Sequence, residues 1–270
     1  LLVVLPATIV LGFTFPASST LLGDDPSRIA ANAGRLLAAN TAGSISATFA
    51  IPFFVIPAVG SPAAVALLAL INVGTGAVLL ARLSGRSGIS AVQRAGAGVV
   101  AAIVGLAIVD TLVTPGWIVD PSVARIRAMG APIFESREDE IASVQAGKLA
   151  TPQLWVTGTG MTLLTVDAKL MPILPLMLRP ESKTALTVAF GMGTAFRGAV
   201  IAGLETEAVE LVPTVPKFFG YFYPDADRIV ADPKGRIIVT DGRNHLELTE
   251  LTDDIIVTDP PPPVFSSGAA

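Results

Sequence analysis

The chain contains no cysteine and only one histidine, His245, among 270 residues. Disulfides, thiolate metal sites and cysteine nucleophiles are excluded, and a multi-histidine metal site cannot be assembled. Metal chemistry would have to rest on carboxylates, so no metal is expected. Charge is also scarce: 15% of the residues are Asp, Glu, Lys or Arg, and 18 basic against 22 acidic side chains leave a net charge of −4. Without a basic field, nucleic acid is not an expected partner. No partner acid can be assigned to His245 from its neighbours, which leaves it outside the candidate site.

Apolar residues are abundant. They make up 51% of the chain, and the mean hydropathy of +0.66 is too high for an ordinary soluble domain. Nearly every long apolar run falls before about residue 115, and most acids and lysines come after it. An integral membrane protein with two differently solvated regions is expected, with lipid as a partner.

The membrane region, 1–115, reads as about four helices. Residues 1–22 are uncharged and long enough to cross a hydrocarbon core, with Pro6 and Pro16 bending the span. A polar connection at 23–35 leads to a second span, 36–60, rich in the small residues that let membrane helices approach closely. After "GSP" come a third span at 63–81, a loop carrying Arg82, Arg86 and Arg94, and a fourth span at 95–114 that contains Asp110. No basic segment or cleavage site marks the first run as a signal peptide. The positive-inside rule places the arginine loop in the cytoplasm and the C-terminal half across the membrane from it. A nucleotide-using domain is expected on the cytoplasmic side, so the side stays open. Leu1 lies inside an apolar run and "PPPPVFSSGAA" ends without a terminal element, which predicts a piece of a longer chain.

Residues 116–183 read as a linker, 116–135, followed by a small β-hairpin region with strands in "ASVQAG", "LWVTGTG" and "MTLLTV". From 184 to 270 strands and helices alternate: "TALTVAF", a helix from Ala195, "ETEAVEL", a helix around 214–222, "RIIVTD", a short helix near 244–250, and "DIIVTD". That order predicts an α/β doubly wound, mostly parallel sheet of the Rossmann-like kind.

Ligands of such sheets sit beyond the carboxyl ends of the strands. Here those ends carry Gly191 and Gly193, Glu210, Asp241 with Gly242, and Asp259. Gly191 and Gly193 permit a tight turn and close approach of the backbone. Glu210, nineteen positions after Gly191, is placed to accept both ribose hydroxyls of a nucleoside. Asp241, opening "DGRN", is placed either to accept from an adenine amino group or to cap the helix that follows. Asp259 ends "IIVTD" where a general base or amine-binding group would stand, or serves as a strand-ending turn acid.

The succession "LPLMLRPESKTALTVAFGMGTAFRGA", "AVELVPTV", "IIVTDGRNHL" and "DDIIVTDPPPP" resembles the spermidine synthase family, and the front half is similar to its membrane-fused bacterial members. The resemblance implies a class I methyltransferase-type fold and decarboxylated S-adenosylmethionine or S-adenosylmethionine as co-substrate. It also implies Gly191, Gly193 and Glu210 at the nucleoside, Asp241 and Gly242 at adenine, and Asp259 deprotonating an amine acceptor. A homodimer is an expectation of the resemblance alone. The chain departs from the family at Thr194, Ala195 and Pro262, where acids stand in authentic synthases, and "LTVDAKLMPILPL" lacks the family's Tyr-His-Glu stretch. These changes leave the donor site recognisable and the acceptor unidentified. The expected function is a membrane-anchored aminopropyl transferase. The alternatives are an S-adenosylmethionine-dependent methyltransferase and a non-catalytic membrane scaffold or transport-associated protein.

Overall fold

The computed structural model describes residues 27–83, 90–113, 119–163 and 166–258, together with Gly12, Thr14 and Ser18. The predicted first span, 1–22, falls outside the described residues but for those three. The chain divides into two compact units, 1–54 and 55–270.

The first unit carries helix α1, Ile29–Ala50, which has no buried residue. It begins inside the stretch expected to be a polar connection, because "IAANAGR" offers good helix formers and only one charge. Within it Thr48 returns its hydroxyl to the Ser44 carbonyl, 2.8 Å away, which satisfies a polar side chain without water. A π-helical turn, Ile51–Val55, follows at "IPFFV", where Pro52 removes a backbone donor.

The second unit opens with α2, Ile56–Leu83, whose backbone leaves helical geometry at Gly60 (φ 80°, ψ 159°) before Pro62 restarts it. This is the break expected at "GSP". Helix α3, Ala91–Val113, packs along α2 and exposes Val99, Val100, Ile103, Leu106 and Val109. Among the described residues one continuous run, Ile29–Val78, is long and apolar enough to cross a membrane.

Of the expected linker at 116–135, the described residues 119–135 hold a helix and the start of a strand. Asp120 caps helix α4, Pro121–Ala128, by accepting from the Ser122 amide at 2.8 Å, with Pro121 at the first helical position. Strands β1, Ile133–Glu138, β2, Ser143–Lys148, β3, Pro152–Val156, and β4, Thr159–Leu163, form an antiparallel meander in that order. Thr157 and Gly158, both at positive φ (52° and 73°), make the two-residue turn that divides the expected strand "LWVTGTG" into β3 and β4.

Helix α5, Val166–Leu178, holds Pro172 and Pro175 in its interior, which is why its sequence does not read as a helix. Pro172 lies against Gly198, where a Cβ would come within 3.3 Å of its ring. The α/β half then follows its predicted order: β5, Thr184–Val188; α6, Thr194–Ile201; β6, Glu205–Glu210; α7, Ala226–Val230; β7, Gly235–Val239; α8, Gly242–Leu248; and β8, Ile255–Thr258. The helix expected at 214–222 is a 3₁₀ turn, Pro216–Tyr221. The sheet order β7-β6-β5-β8 is parallel throughout. This is a Rossmann-like half-sheet whose order reverses between β5 and β8.

One core joins the two sheets: Val144, Ala146 and Leu154 of the meander pack in the same cluster as Phe190, Phe196, Phe218, Phe219 and Ile229. A second cluster, Ala185, Ala199, Leu204, Ile255 and Val257, receives Met171 and Leu176 of α5. Arg197 of α6 makes a bidentate pair with Asp225, 2.8 and 2.9 Å, ahead of α7, and stacks over the Tyr223 ring.

The Arg197 guanidinium lowers the Asp225 carboxyl to about 2, with Arg228 adding to the effect. A lowered carboxyl stabilises the fold fully above its unfolded value near 3.8 and loses that contribution as pH falls through about 2. Asp225→Asn is therefore expected to lower the thermal midpoint at neutral pH. The gap from wild type should close between about pH 4 and pH 2 in pH-resolved thermal unfolding.

Candidate functional site

The carboxyl edge of the parallel sheet brings most of the expected residues together. The exit of β5 leaves extended geometry at once: Ala189 adopts φ 72°, Gly191 φ 54° and Gly193 φ 75°. Gly193 is the N-cap of α6 and has no side chain to cap it. A Cβ on Gly193 would lie 2.5 Å from the Phe219 ring and 2.8 Å from Phe190. The glycine is demanded by an aromatic wall as well as by its backbone angle.

Glu210, the last residue of β6, is buried, and both its oxygens are engaged. Oε2 accepts from the Phe190 amide and Oε1 from the Val212 amide, each at 2.9 Å. Each oxygen keeps a further lone pair. Asp241 accepts from the Asn244 amide at 2.8 Å and so caps α8, the capping role weighed for it in the sequence. Gly242 starts α8 against the end of β5, where a Cβ would meet Val188 at 2.8 Å. Asp259 follows Thr258, the last residue of β8, and lies outside the described residues.

Beneath the glycine turn is a cavity of about 40 Å³ lined by Thr187, Ala189, Gly191, Thr194, Met171 and Val257, among others. It lies between β5 and β8, where the strand order reverses. Its size suits about one water molecule, well short of the several hundred Å³ of a typical ligand pocket. The Thr187 hydroxyl is buried there without a hydrogen-bond partner. The Thr194 hydroxyl is held by Tyr223 at 2.8 Å, and burial raises the Tyr223 phenol above its ordinary value. The sequence reading passed over Thr187 and Tyr223, since neither stands at a strand end.

His245 does find an acid, Glu207 of β6 at 3.6 Å, which Arg236 shares at 3.2 Å. Glu207 lies in mid-strand, away from the carboxyl edge, which keeps this cluster apart from the glycine turn. Among the described residues no three His, Asp or Glu side chains gather for a metal.

No protein-family model matches the sequence, and no curated protein does. Solved structures do. The spermidine synthase from Thermotoga maritima aligns at TM-score 0.43 and 17% identity over 48% of this chain and 47% of its own. A spermidine synthase in complex with the transition-state analogue AdoDATO aligns at 0.42 and 17% over 47% of each chain. A SAM-dependent methyltransferase from Agrobacterium tumefaciens aligns at 0.31 and 20% over 43% of this chain and 39% of its own. The chain thus spans less than half the length of these proteins.

Two substitutions test the strained turn. Gly193→Ala combines a left-handed backbone with overlap on Phe219 and is expected to lower the unfolding free energy by about 2–4 kcal/mol. Ala189→Gly removes the penalty at φ 72° and is expected to be stabilising by about 0.5–1 kcal/mol once the added freedom of the unfolded chain is deducted. Denaturant unfolding of both variants gives the two signs directly.

Proposed function

We propose that the α/β half binds an S-adenosylmethionine-type nucleoside at the carboxyl edge of its parallel sheet and transfers a group from it to an amine, while the apolar helices hold the protein in a membrane. The observation that carries this reading is the glycine turn over the β5–β8 switch point with a buried acid, Glu210, ending the neighbouring strand. Gly191 and Gly193 would let the ribose approach the backbone, the free lone pairs of Glu210 would accept its hydroxyls, and the Asp241 carboxylate would face the adenine.

The transfer itself is a displacement. The amine nitrogen attacks the carbon bound to the sulfonium, the C–S bond breaks, and sulfur departs as a neutral thioether with the bonding pair. The nitrogen then loses a proton, a role that the family resemblance gives to Asp259. With decarboxylated S-adenosylmethionine the group moved is aminopropyl; with S-adenosylmethionine it is methyl.

A second reading is favoured by one observation: the space under the turn is about 40 Å³, too small for a nucleoside. In that reading the turn is filled by Phe219, Glu210 only ties two loops together, and the domain is a scaffold.

Calorimetric titration of the detergent-solubilised chain with decarboxylated S-adenosylmethionine, S-adenosylmethionine and methylthioadenosine separates the readings. Binding tighter than about 1 mM is expected for at least one sulfonium donor, and whichever binds tighter names the group transferred. Absence of binding for all three would establish the scaffold. Asp241→Asn keeps a good N-cap and is expected to weaken nucleoside binding with little loss of stability. Glu210→Ala abolishes binding and also strands two buried amides, at a cost of about 1–3 kcal/mol each.

The helical half supports a hairpin across the membrane. If α2 crosses from Gly60 and α3 crosses back, the meander returns to the side of Gly60, and Ser61 is bonded to Glu138 of β1. The chain has no native cysteine, so single introduced thiols report cleanly. Ser90→Cys and Glu140→Cys are expected to react with an impermeant maleimide from opposite faces of sealed vesicles. Labelling from the same face would remove the hairpin.

A further inference from the structure

From Ser61 to Leu83, helix α2 runs about 35 Å at roughly 1.5 Å per residue, enough to cross a hydrocarbon core of roughly 30 Å. Its flank exposes Val65, Leu67, Leu68, Leu70, Ile71 and Val78. The break at Gly60 marks one end of that stretch. There the Ser61 hydroxyl donates to Glu138 of β1 at 2.9 Å, and the Ser61 amide donates to the same carboxylate. If α2 crosses a bilayer, the end of β1 is held at hydrogen-bonding distance from the membrane boundary.

The surface next to that boundary is one-sided in charge. Between residues 119 and 138 the exposed charges are Arg125 and Arg127 of α4 and Arg137 of β1, and no acid in the stretch is exposed. Its three acids are engaged by protein donors: Asp120 by the Ser122 amide and the Ser143 hydroxyl, Glu138 by Ser61, and Glu135 by Arg137 and the Tyr221 hydroxyl. Among the described residues the guanidinium groups of Arg125 and Arg127 make no ion pair. Arg137 meets Glu135 through Nε, which leaves its two terminal nitrogens for another acceptor.

Arg127 and Arg137 line one groove of about 560 Å³, whose other wall is Ile56, Pro57 and Val59 at the broken start of α2. The cations thus stand beside the point where the helix would enter lipid. Exposed apolar side chains accompany them: Met129 closes α4, and Phe134 of β1 stacks on Tyr221 with ring centroids 6.0 Å apart. Arginine beside exposed apolar and aromatic side chains, with no exposed acid, suits a surface that meets lipid headgroups. The place of Arg125 and Arg127 in the last turn of α4 also favours its helix dipole. That role does not extend to Arg137, which stands on a strand.

We propose that the surface formed by α4 and β1 docks on the anionic headgroup layer of the membrane that α2 enters. Arg125, Arg127 and the terminal nitrogens of Arg137 donate to lipid phosphates, and Met129 and Phe134 sit at headgroup depth. The inference rests on the membrane reading of the apolar helices and is independent of the nucleoside crevice. Docking of this kind holds the meander, and through the shared core the parallel sheet, in a fixed attitude to the bilayer.

The test uses the full chain with Met129→Cys, a unique thiol because the sequence has no cysteine. The thiol carries a fluorophore, and the chain is reconstituted in vesicles with a headgroup nitroxide on phosphatidylcholine in both leaflets. In vesicles of equal parts phosphatidylcholine and phosphatidylglycerol the probe is expected to be quenched. In phosphatidylcholine alone, or at about 1 M salt where the Debye length is near 3 Å, the quenching is expected to fall away. Arg125→Gln with Arg127→Gln is expected to lower the ratio of docked to undocked probe about twenty-five-fold, at roughly fivefold per arginine. Arg125→Lys with Arg127→Lys is expected to restore it, since the attraction is one of charge. Quenching that ignores phosphatidylglycerol and salt, that survives in the glutamine pair, or that is lost equally in the lysine pair would overturn the proposal. So would an unquenched probe on a chain that stays with the vesicles through an alkaline carbonate wash. Loss of the chain in that wash would overturn the membrane reading itself.

Discussion

Everything at the carboxyl edge of the parallel sheet depends on one carboxylate. Glu210 takes the Phe190 amide on one oxygen and the Val212 amide on the other, tying the exit of β5 to the exit of β6. Phe190 fixed in this way sets the turn at Gly191–Gly193. Val212 fixed in this way sets the segment in which Thr214 donates its amide to Asp139 at 3.0 Å. Asp139 belongs to the β1–β2 turn, so the chain of contacts runs from the parallel sheet through Glu210 to the antiparallel meander. Two buried amides deprived of this acceptor would each cost about 1–3 kcal/mol, a large share of the stability of a typical domain.

The aromatic wall beside this carboxylate has a double effect. Phe190, Phe196 and Phe219 meet in tilted and edge-on contacts with centroids 5.3–5.5 Å apart, and with Tyr223 they form the part of the core shared by both sheets. The same packing occupies the space that a glycine turn otherwise leaves open. A nucleoside entering from above would have to displace Phe219 or Met192 from buried positions, exchanging core contacts for ligand contacts. Under the proposed nucleoside reading, affinity at this edge would be set by how cheaply the 3₁₀ turn Pro216–Tyr221 moves, as well as by Glu210.

The sequence carried the parallel sheet well because its strands are short β-branched runs ending in glycine or an acid, and the order of elements leaves few topologies. It carried the break at Gly60 for a similar reason: "GSP" punctuates an apolar run. It did not carry α5, where Pro172 and Pro175 argue against a helix until Gly198 is seen making room for a ring. Helix α4 was hidden in a Pro- and Gly-rich stretch although Asp120 and Pro121 form a capping signal. The saturation of Glu210 by two amides was also illegible, since the partners are backbone groups whose positions depend on folded loops. The Ser61–Glu138 contact unites residues 77 apart through tertiary packing, and no spacing rule points to it.

That contact also bears on how the apolar helices join the β meander. Gly60 ends one helical segment, and the next begins with an unbonded amide at Ser61. An apolar environment makes such an amide costly to leave unmet. Glu138 meets it and the Ser61 hydroxyl together, acting as a helix cap supplied by a strand, with its charge favoured at the positive end of the helix. A cap of this kind works with either a carboxylate or a protonated carboxyl, because the amide needs only an acceptor.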